Sequence, residues 1–145
     1  MNTTSIDAGE GREVINLAAI YRNELLLGLK QGEMKDSLWR VLGGERGMGE
    51  DDYACLLREL REDTRNARKL VENVELFGAF IGKTPNGNIP LLVTVYITRV
   101  EKILQPNSEI QKFKLFSYDA IRKEPLVSDI TRQIAEVLYE KWLIL

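Results

Sequence analysis

The stretch from Gly43 to Arg65, GGERGMGEDDYACLLRELREDTR, constrains this 145-residue chain more than any other part of it. A glycine pair and a glycine-rich turn lead into a run with helical spacing that carries carboxylates at Glu59, Glu62 and Asp63. Positions i, i+3 and i+4 share one face of a helix, so the three acids point the same way. Their repulsion weakens such a helix unless a cation sits between them. Hard carboxylate oxygens grouped in this way suit Mg2+ or Mn2+. Leu56, Leu57 and Leu60, with Tyr53 and Ala54, supply the apolar side expected against a core. Asp51 or Asp52 can cap the first turn, just after Gly49.

The chain has no histidine. That removes a Ser-His-Asp or Cys-His catalytic arrangement and a histidine-ligated zinc site. Acid–base chemistry must then come from carboxylates, lysines or tyrosines, while oxygen-ligated metal chemistry stays open. A single cysteine, Cys55, cannot close an intramolecular disulfide and reads as a small packing residue on the acidic helix. The net charge of -2 argues against a nucleic-acid surface as the main business. No apolar run approaches a membrane span, and the polar start MNTTSIDAGEGRE lacks a signal peptide's apolar region, so the cytoplasm is the expected compartment. The length suits one domain over 1–145, with 1–12 as a flexible leader.

Val14–Tyr21 and Leu25–Lys30 read as two strands of a hairpin joined by Arg22-Asn23-Glu24, with a polar loop over Gln31–Ser37. After the acidic helix, Val74–Ile81 and Ile89–Val100 form a second strand pair across Thr84-Pro85-Asn86-Gly87-Asn88. The segment Gly78–Thr84 is not a phosphate loop, because only three residues separate its glycines and Pro85 falls where a helix should begin. Gln105–Ser108 is a loop, Glu109–Phe116 a further strand, and Leu126–Trp142 a helix packing through Val127, Ile130, Ile134, Val137 and Leu138. Strands on either side of one acidic helix, with a second helix at the end, predict an α/β/α sandwich around a mixed sheet.

The spacing of Gly44, Glu50, Arg58, Glu59, Leu60 and Glu62 resembles the Nudix box. That signature runs Gly, five residues, Glu, seven residues, then Arg-Glu-aliphatic-x-Glu-Glu-x-Gly-aliphatic. Asp63 replaces its last glutamate, Arg65 the closing glycine and Asn66 the closing aliphatic residue. Trp39 to Gly44 is similar to the family's Trp-x-x-Pro-Gly-Gly lead into the box, with Leu42 in place of proline. The Glu109-Ile110 pair after a loop is another likeness, although Leu115 stands where an aromatic is common.

The resemblance implies the Nudix fold and metal-dependent hydrolysis of a nucleoside diphosphate linked to another moiety. It implies Glu59, Glu62 and Asp63 as ligands of Mg2+ or Mn2+, with the Gly43 carbonyl behind them. Arg58 and Glu50 match positions that orient the ligand carboxylates. Glu59 and Glu109 are both candidates for the group that deprotonates water. Lys30 ends a strand where the family often has a basic residue near substrate phosphates; a solvated strand-end lysine is the other reading. Arg65 either reaches a substrate phosphate or is a surface arginine, and if the family glycine has φ > 0 it adds roughly 1 kcal/mol of strain. Downstream signatures for ADP-ribose, NADH and dinucleoside polyphosphates are missing, which leaves nucleoside triphosphates or nucleotide sugars. The expected partner is a small-molecule nucleoside diphosphate derivative, not a nucleic acid or a membrane, with a homodimer open as an assembly. The rival class is a Nudix-fold binding or regulatory module with little or no hydrolysis; retention of Glu59 and Glu62 favours the enzyme.

Overall fold

The computed structural model describes residues 12–30, 38–83, 89–102, 104–106 and 110–145. The expected leader up to residue 11, the 31–37 loop, the 84–88 turn and Glu109 lie outside the described residues.

Six consecutive residues, Ile15 to Ile20, are buried within β1 (Arg12–Tyr21). A near-continuous apolar run, here broken only by Asn16, is what a strand covered on both faces requires. Ile15, Leu17 and Ala19 face one helical layer, and Ala18 and Ile20 face the other. Arg22 and Asn23 have φ of 48° and 69°. Two successive left-handed residues make the type I′ connection whose twist suits a hairpin. It leads into β2 (Glu24–Lys30), where Glu24 pairs with Tyr21, so the connection is one residue shorter than expected. The first strand also starts earlier, at Arg12, because Arg12 and Glu13 pair with Leu91 and Leu92.

Two short strands, β3 (Trp39–Arg40) and β4 (Leu42–Glu45), follow, antiparallel to β2 and β1 respectively. After α1 (Asp52–Asp63) and α2 (Ala67–Val71) come β5 (Glu75–Lys83) and β6 (Pro90–Arg99), then β7 (Ile110–Phe116), α3 (Tyr118–Lys123) and α4 (Asp129–Glu140). The strands run β3-β2-β1-β6-β5, with β4 also on β1 and β7 also on β2. β6 lies parallel to β1 while the other strand pairs are antiparallel, so the sheet is mixed.

α1 and α2 pack Cys55, Leu56, Leu60, Ala67 and Leu70 against Ile15, Leu17, Ala19 and Leu42. α3 and α4 pack Ile121, Ile134, Ala135 and Leu138 against Ala18, Ile20, Val93 and Val95. The result is the expected α/β/α sandwich. Each fully buried leucine or isoleucine contributes roughly 1.5–3 kcal/mol.

Three further expectations change. Tyr53 and Ala54 are exposed, because the inward face of α1 runs through Cys55, Leu56, Glu59, Leu60 and Asp63. The last helix is shorter than Leu126–Trp142. Ser128 caps its start by accepting from Thr131 N, while Val127 bridges Trp39 as extended chain. Its end is closed by Trp142 at φ 62° and by Leu143 N donating to Leu138 O. The short helices α2 and α3 were not expected; the second starts where Ser117 Oγ accepts from Ala120 N.

Candidate active site

The site is built where β4 passes under α1. Gly43 has φ 112°, and a Cβ there would meet Ile15 O at 2.1 Å, so only glycine fits. Asn16, 7% exposed in an otherwise apolar strand, donates through Nδ2 to Leu42 O at 3.0 Å and steadies this backbone. Asp63, fully buried, accepts at Oδ2 from Gly43 N at 3.4 Å. The last turn of α1 is thereby tied to the glycine pair. Glu59, one turn earlier and 8% exposed, lies against Gly44, where an added Cβ would fall 2.2 Å from Oε1.

Asp51 caps α1 by accepting from Ala54 N at 2.8 Å, and Asp52 is left for other work. It accepts from Arg46 Nη2 at 2.6 Å and from the Tyr96 hydroxyl at 2.5 Å. Burial opposes its ionisation, yet the bonds from Tyr96 and Arg46 hold Asp52 below its ordinary value. The same bond pushes Tyr96 up to about 12.

In the turn between β4 and α1, Glu50 accepts from Gly47 N at 2.6 Å and from Arg58 at Nε and Nη2, at 2.6 and 2.9 Å. These bonds, the guanidinium first, hold its carboxyl down at about 2. Arg58 also donates to Glu45 O at 2.9 Å and to Glu59 Oε1 at 3.3 Å, and it stands 3.9 Å from Glu62 Oε1. The cation between Glu59 and Glu62 in this geometry is therefore a guanidinium. Cys55 Sγ sits under the Gly44 and Glu45 carbonyls, and burial, then Glu50, pushes the thiol up to about 11. It stays protonated at neutral pH, a packing group and not a nucleophile.

Glu50, Arg58, Glu59, Asp63 and Gly43 are thus brought together. Glu62 is at the rim, with 43% of its side chain exposed. Among the described residues no three acidic groups converge as a metal centre would have them. The donor set itself, two buried carboxylates and one at the rim beside a strand carbonyl, has the chemistry of a hard-cation site. Lys30 closes β2, opposite Ile110 of β7. Arg65 is exposed beyond Thr64, whose extended backbone ends α1. Its φ is not left-handed, so the strain expected there does not arise. Arg65 borders an open depression of about 340 Å3 shared with Asn66, Arg68, Lys69 and Glu72, which none of the box acids lines.

The NUDIX domain model matches residues 12–137. The chain belongs to the NUDIX domain family. The fold is similar to that of a MutT NUDIX hydrolase from Burkholderia pseudomallei, with 17% identity, a TM-score of 0.66, and 87% of this chain and 96% of that one covered. The NUDIX domain of Shewanella oneidensis NrtR, complexed with ADP ribose, superposes at a TM-score of 0.69 with 15% identity, over 90% of this chain and 88% of that one. A bifunctional NMN adenylyltransferase/ADP ribose pyrophosphatase from Francisella tularensis, complexed with AMP and a Mn ion, is 17% identical. It gives a TM-score of 0.66 over 91% of this chain and 42% of that one. No curated protein matches the chain. No helix among the described residues is long and apolar enough to cross a membrane.

Several residues that shape this Nudix site were not anticipated. Asn16 carried a signal, as one polar residue in the run VINLAAI. Arg46 in the turn reaches Asp52 at the start of α1, but the second partner of Asp52, Tyr96, comes from a strand forty-four residues on. Gln105 makes a third such connection. Its carbonyl accepts from Thr64 Oγ1 at 2.7 Å and from Arg65 N at 3.2 Å, and its N–H donates to Asn66 Oδ1 at 3.2 Å. Arg65 and Asn66, two of the three departures from the box, thus take part in a polar clasp on the 104–106 segment.

Proposed function

We propose that this Nudix domain hydrolyses a phosphoanhydride bond in a nucleoside diphosphate linked to another moiety, a nucleoside triphosphate or a nucleotide sugar, with Mg2+ or Mn2+. The observation that carries the reading is the convergence of Glu59 and Asp63 on the Gly43–Gly44 backbone, with Glu62 at the rim and the Glu50–Arg58 pair bracing them. Family membership supports a hydrolase acting on nucleotide derivatives, and a Mn ion and AMP accompany one structural neighbour.

Glu59, Glu62, Asp63 and the Gly43 carbonyl are the proposed ligands. A bound divalent cation supplies charge neutralisation on the phosphates and a more acidic water. Arg58, anchored by Glu50 and the Glu45 carbonyl, holds the Glu59 carboxylate in orientation. Glu59 or Glu109 takes the proton from water, and Lys30 is offered for a substrate phosphate.

The test is turnover of a panel of nucleoside diphosphate derivatives with Mg2+ or Mn2+, read as released phosphate or pyrophosphate. Turnover of a triphosphate or a nucleotide sugar is expected. A chain inert across the panel, yet bound to one of its members, would support the second reading, a nucleotide-binding module. The guanidinium between Glu59 and Glu62 favours that second reading.

A further inference from the structure

We infer that Tyr96 is a positioning residue for the proposed hydrolysis: its hydroxyl, acting through Asp52 and Arg46, sets the glycine-rich turn and with it the Glu50–Arg58 pair that orients Glu59. The inference rests on the function proposed above and adds to it a group from outside the box. Tyr96 lies on β6 between Leu17 of β1 and Leu76 of β5, so paired strands fix its backbone on both sides. Its ring packs on the α1 side of the sheet. From there the hydroxyl donates to Asp52 Oδ2 at 2.5 Å, while Arg46 Nη2 donates to Asp52 Oδ1 at 2.6 Å. One oxygen of Asp52 is held by the sheet and the other holds the turn.

Asp51 already caps α1 through Ala54 N, so the helix start does not need Asp52 as its cap. What Asp52 holds is Arg46, to which Glu13 adds only a longer contact at 3.4 Å from a half-exposed side chain. Arg46 carries the anchor into the turn, where Nη1 donates to Glu50 O at 3.1 Å. The main chain of Glu50 is placed in this way, and its carboxylate then takes Gly47 N and Arg58. Arg58 passes the placement to Glu59 Oε1 at 3.3 Å. Each link has an ionised partner, the kind of hydrogen bond that holds its geometry most firmly. Loss of a group that orients a ligand carboxylate costs roughly 10–100-fold in metal affinity or activity. A hydroxyl that only fastened α1 to β6 would have no such reach, because Asp52 keeps 27% of its side chain exposed and water can take the vacated oxygen.

Tyr96→Phe keeps the ring and removes only the hydroxyl. By NMR, hydrogen exchange at the Gly47 amide, which is bonded to Glu50, should quicken by about ten-fold or more while amides of β1 keep their protection. With a nucleotide that the wild type hydrolyses, kcat should fall by about ten-fold or more with KM within about three-fold. Asp52→Asn should act in the same way, and the double variant should lose no more than the worse single one, because the two groups work as a unit. Exchange at Gly47 that is unchanged, or that quickens equally along β1, overturns the proposal. So does an unchanged kcat in an active enzyme, or a double variant whose losses multiply. A wild type inert across the panel removes the hydrolysis reading, and exchange then decides alone: a quickened Gly47 amide upholds Tyr96 as the group that places the turn, and an unchanged one overturns it.

Discussion

Arg58 grips both oxygens of the Glu50 carboxylate, Nε to Oε2 at 2.6 Å and Nη2 to Oε1 at 2.9 Å. One end of that grip closes the glycine-rich turn and the other reaches Glu59, so the pair couples loop shape to the proposed ligands. Glu50 is held at about 2, below its ordinary 4.5, first by Arg58 and then by Gly47 N–H. The unfolded chain therefore binds this proton more readily. The stability from Glu50 is complete above pH 4.5 and drains away as pH falls towards 2. Denaturant melts of wild type and Glu50→Gln should differ most at neutral pH and converge across that acid window. A gap that is constant or widens on acidification would mean the ion pair is not what Glu50 supplies.

Gly43→Ala and Gly44→Ala should fail in different ways. At Gly43 the new Cβ meets Ile15 O at 2.1 Å on a backbone with φ 112°. We expect a loss of about 2–4 kcal/mol in stability. At Gly44 the clash is with Glu59 Oε1 at 2.2 Å, the end of a side chain. That substitution should cost about 1–3 kcal/mol of stability and at least ten-fold in kcat/KM, about 1.4 kcal/mol of transition-state binding. Thermal melts and steady-state kinetics on both variants separate the two; a Gly44→Ala variant less stable than Gly43→Ala, or one with an unchanged kcat/KM, would contradict the geometry.

Glu62 is half-exposed, so Glu62→Gln should leave stability within about 0.5 kcal/mol of wild type while nearly abolishing hydrolysis. Millimolar Mn2+ or Mg2+ should raise the melting temperature of the wild type by mass action and raise that of the variant less. Intact activity in Glu62→Gln, or a metal-insensitive wild type, would remove Glu62 from the proposed ligand set.

Arg65→Gly tests the departure at the end of the box. Because Arg65 is exposed and its backbone is not left-handed, glycine has no strain to relieve there. Its N–H bond to Gln105 O survives the substitution. Stability within about 1 kcal/mol and a nearly unchanged kcat/KM are expected. A ten-fold fall in kcat/KM with the fold intact would instead place the guanidinium on a substrate phosphate.

Short-range order in the sequence determined a good deal. The spacing from Gly44 to Glu62 announces a glycine turn and an acidic helix, because helix periodicity and turn chemistry act over a few residues. The apolar, partly β-branched run from Val14 to Tyr21 likewise announces a strand. Tertiary structure decided the rest. Spacing alone put Glu59, Glu62 and Asp63 on one face, but the rotation of α1 against Leu17 and Leu42 buries the first and third, leaves Glu62 at the rim and turns Tyr53 outward. That phase depends on which apolar residues the sheet offers, and the helix does not encode it. Asn16 beneath Gly43, Tyr96 on Asp52 and Gln105 on Thr64 join residues far apart in the chain, so no local pattern can show them. Arg65 is the clearest case. A closing glycine in the family pattern suggested strain, yet the extended Thr64 and its bond to Gln105 end the helix by another route. Local spacing limits what each segment can be; which side chains meet is decided by the packing of segments that the sequence keeps apart.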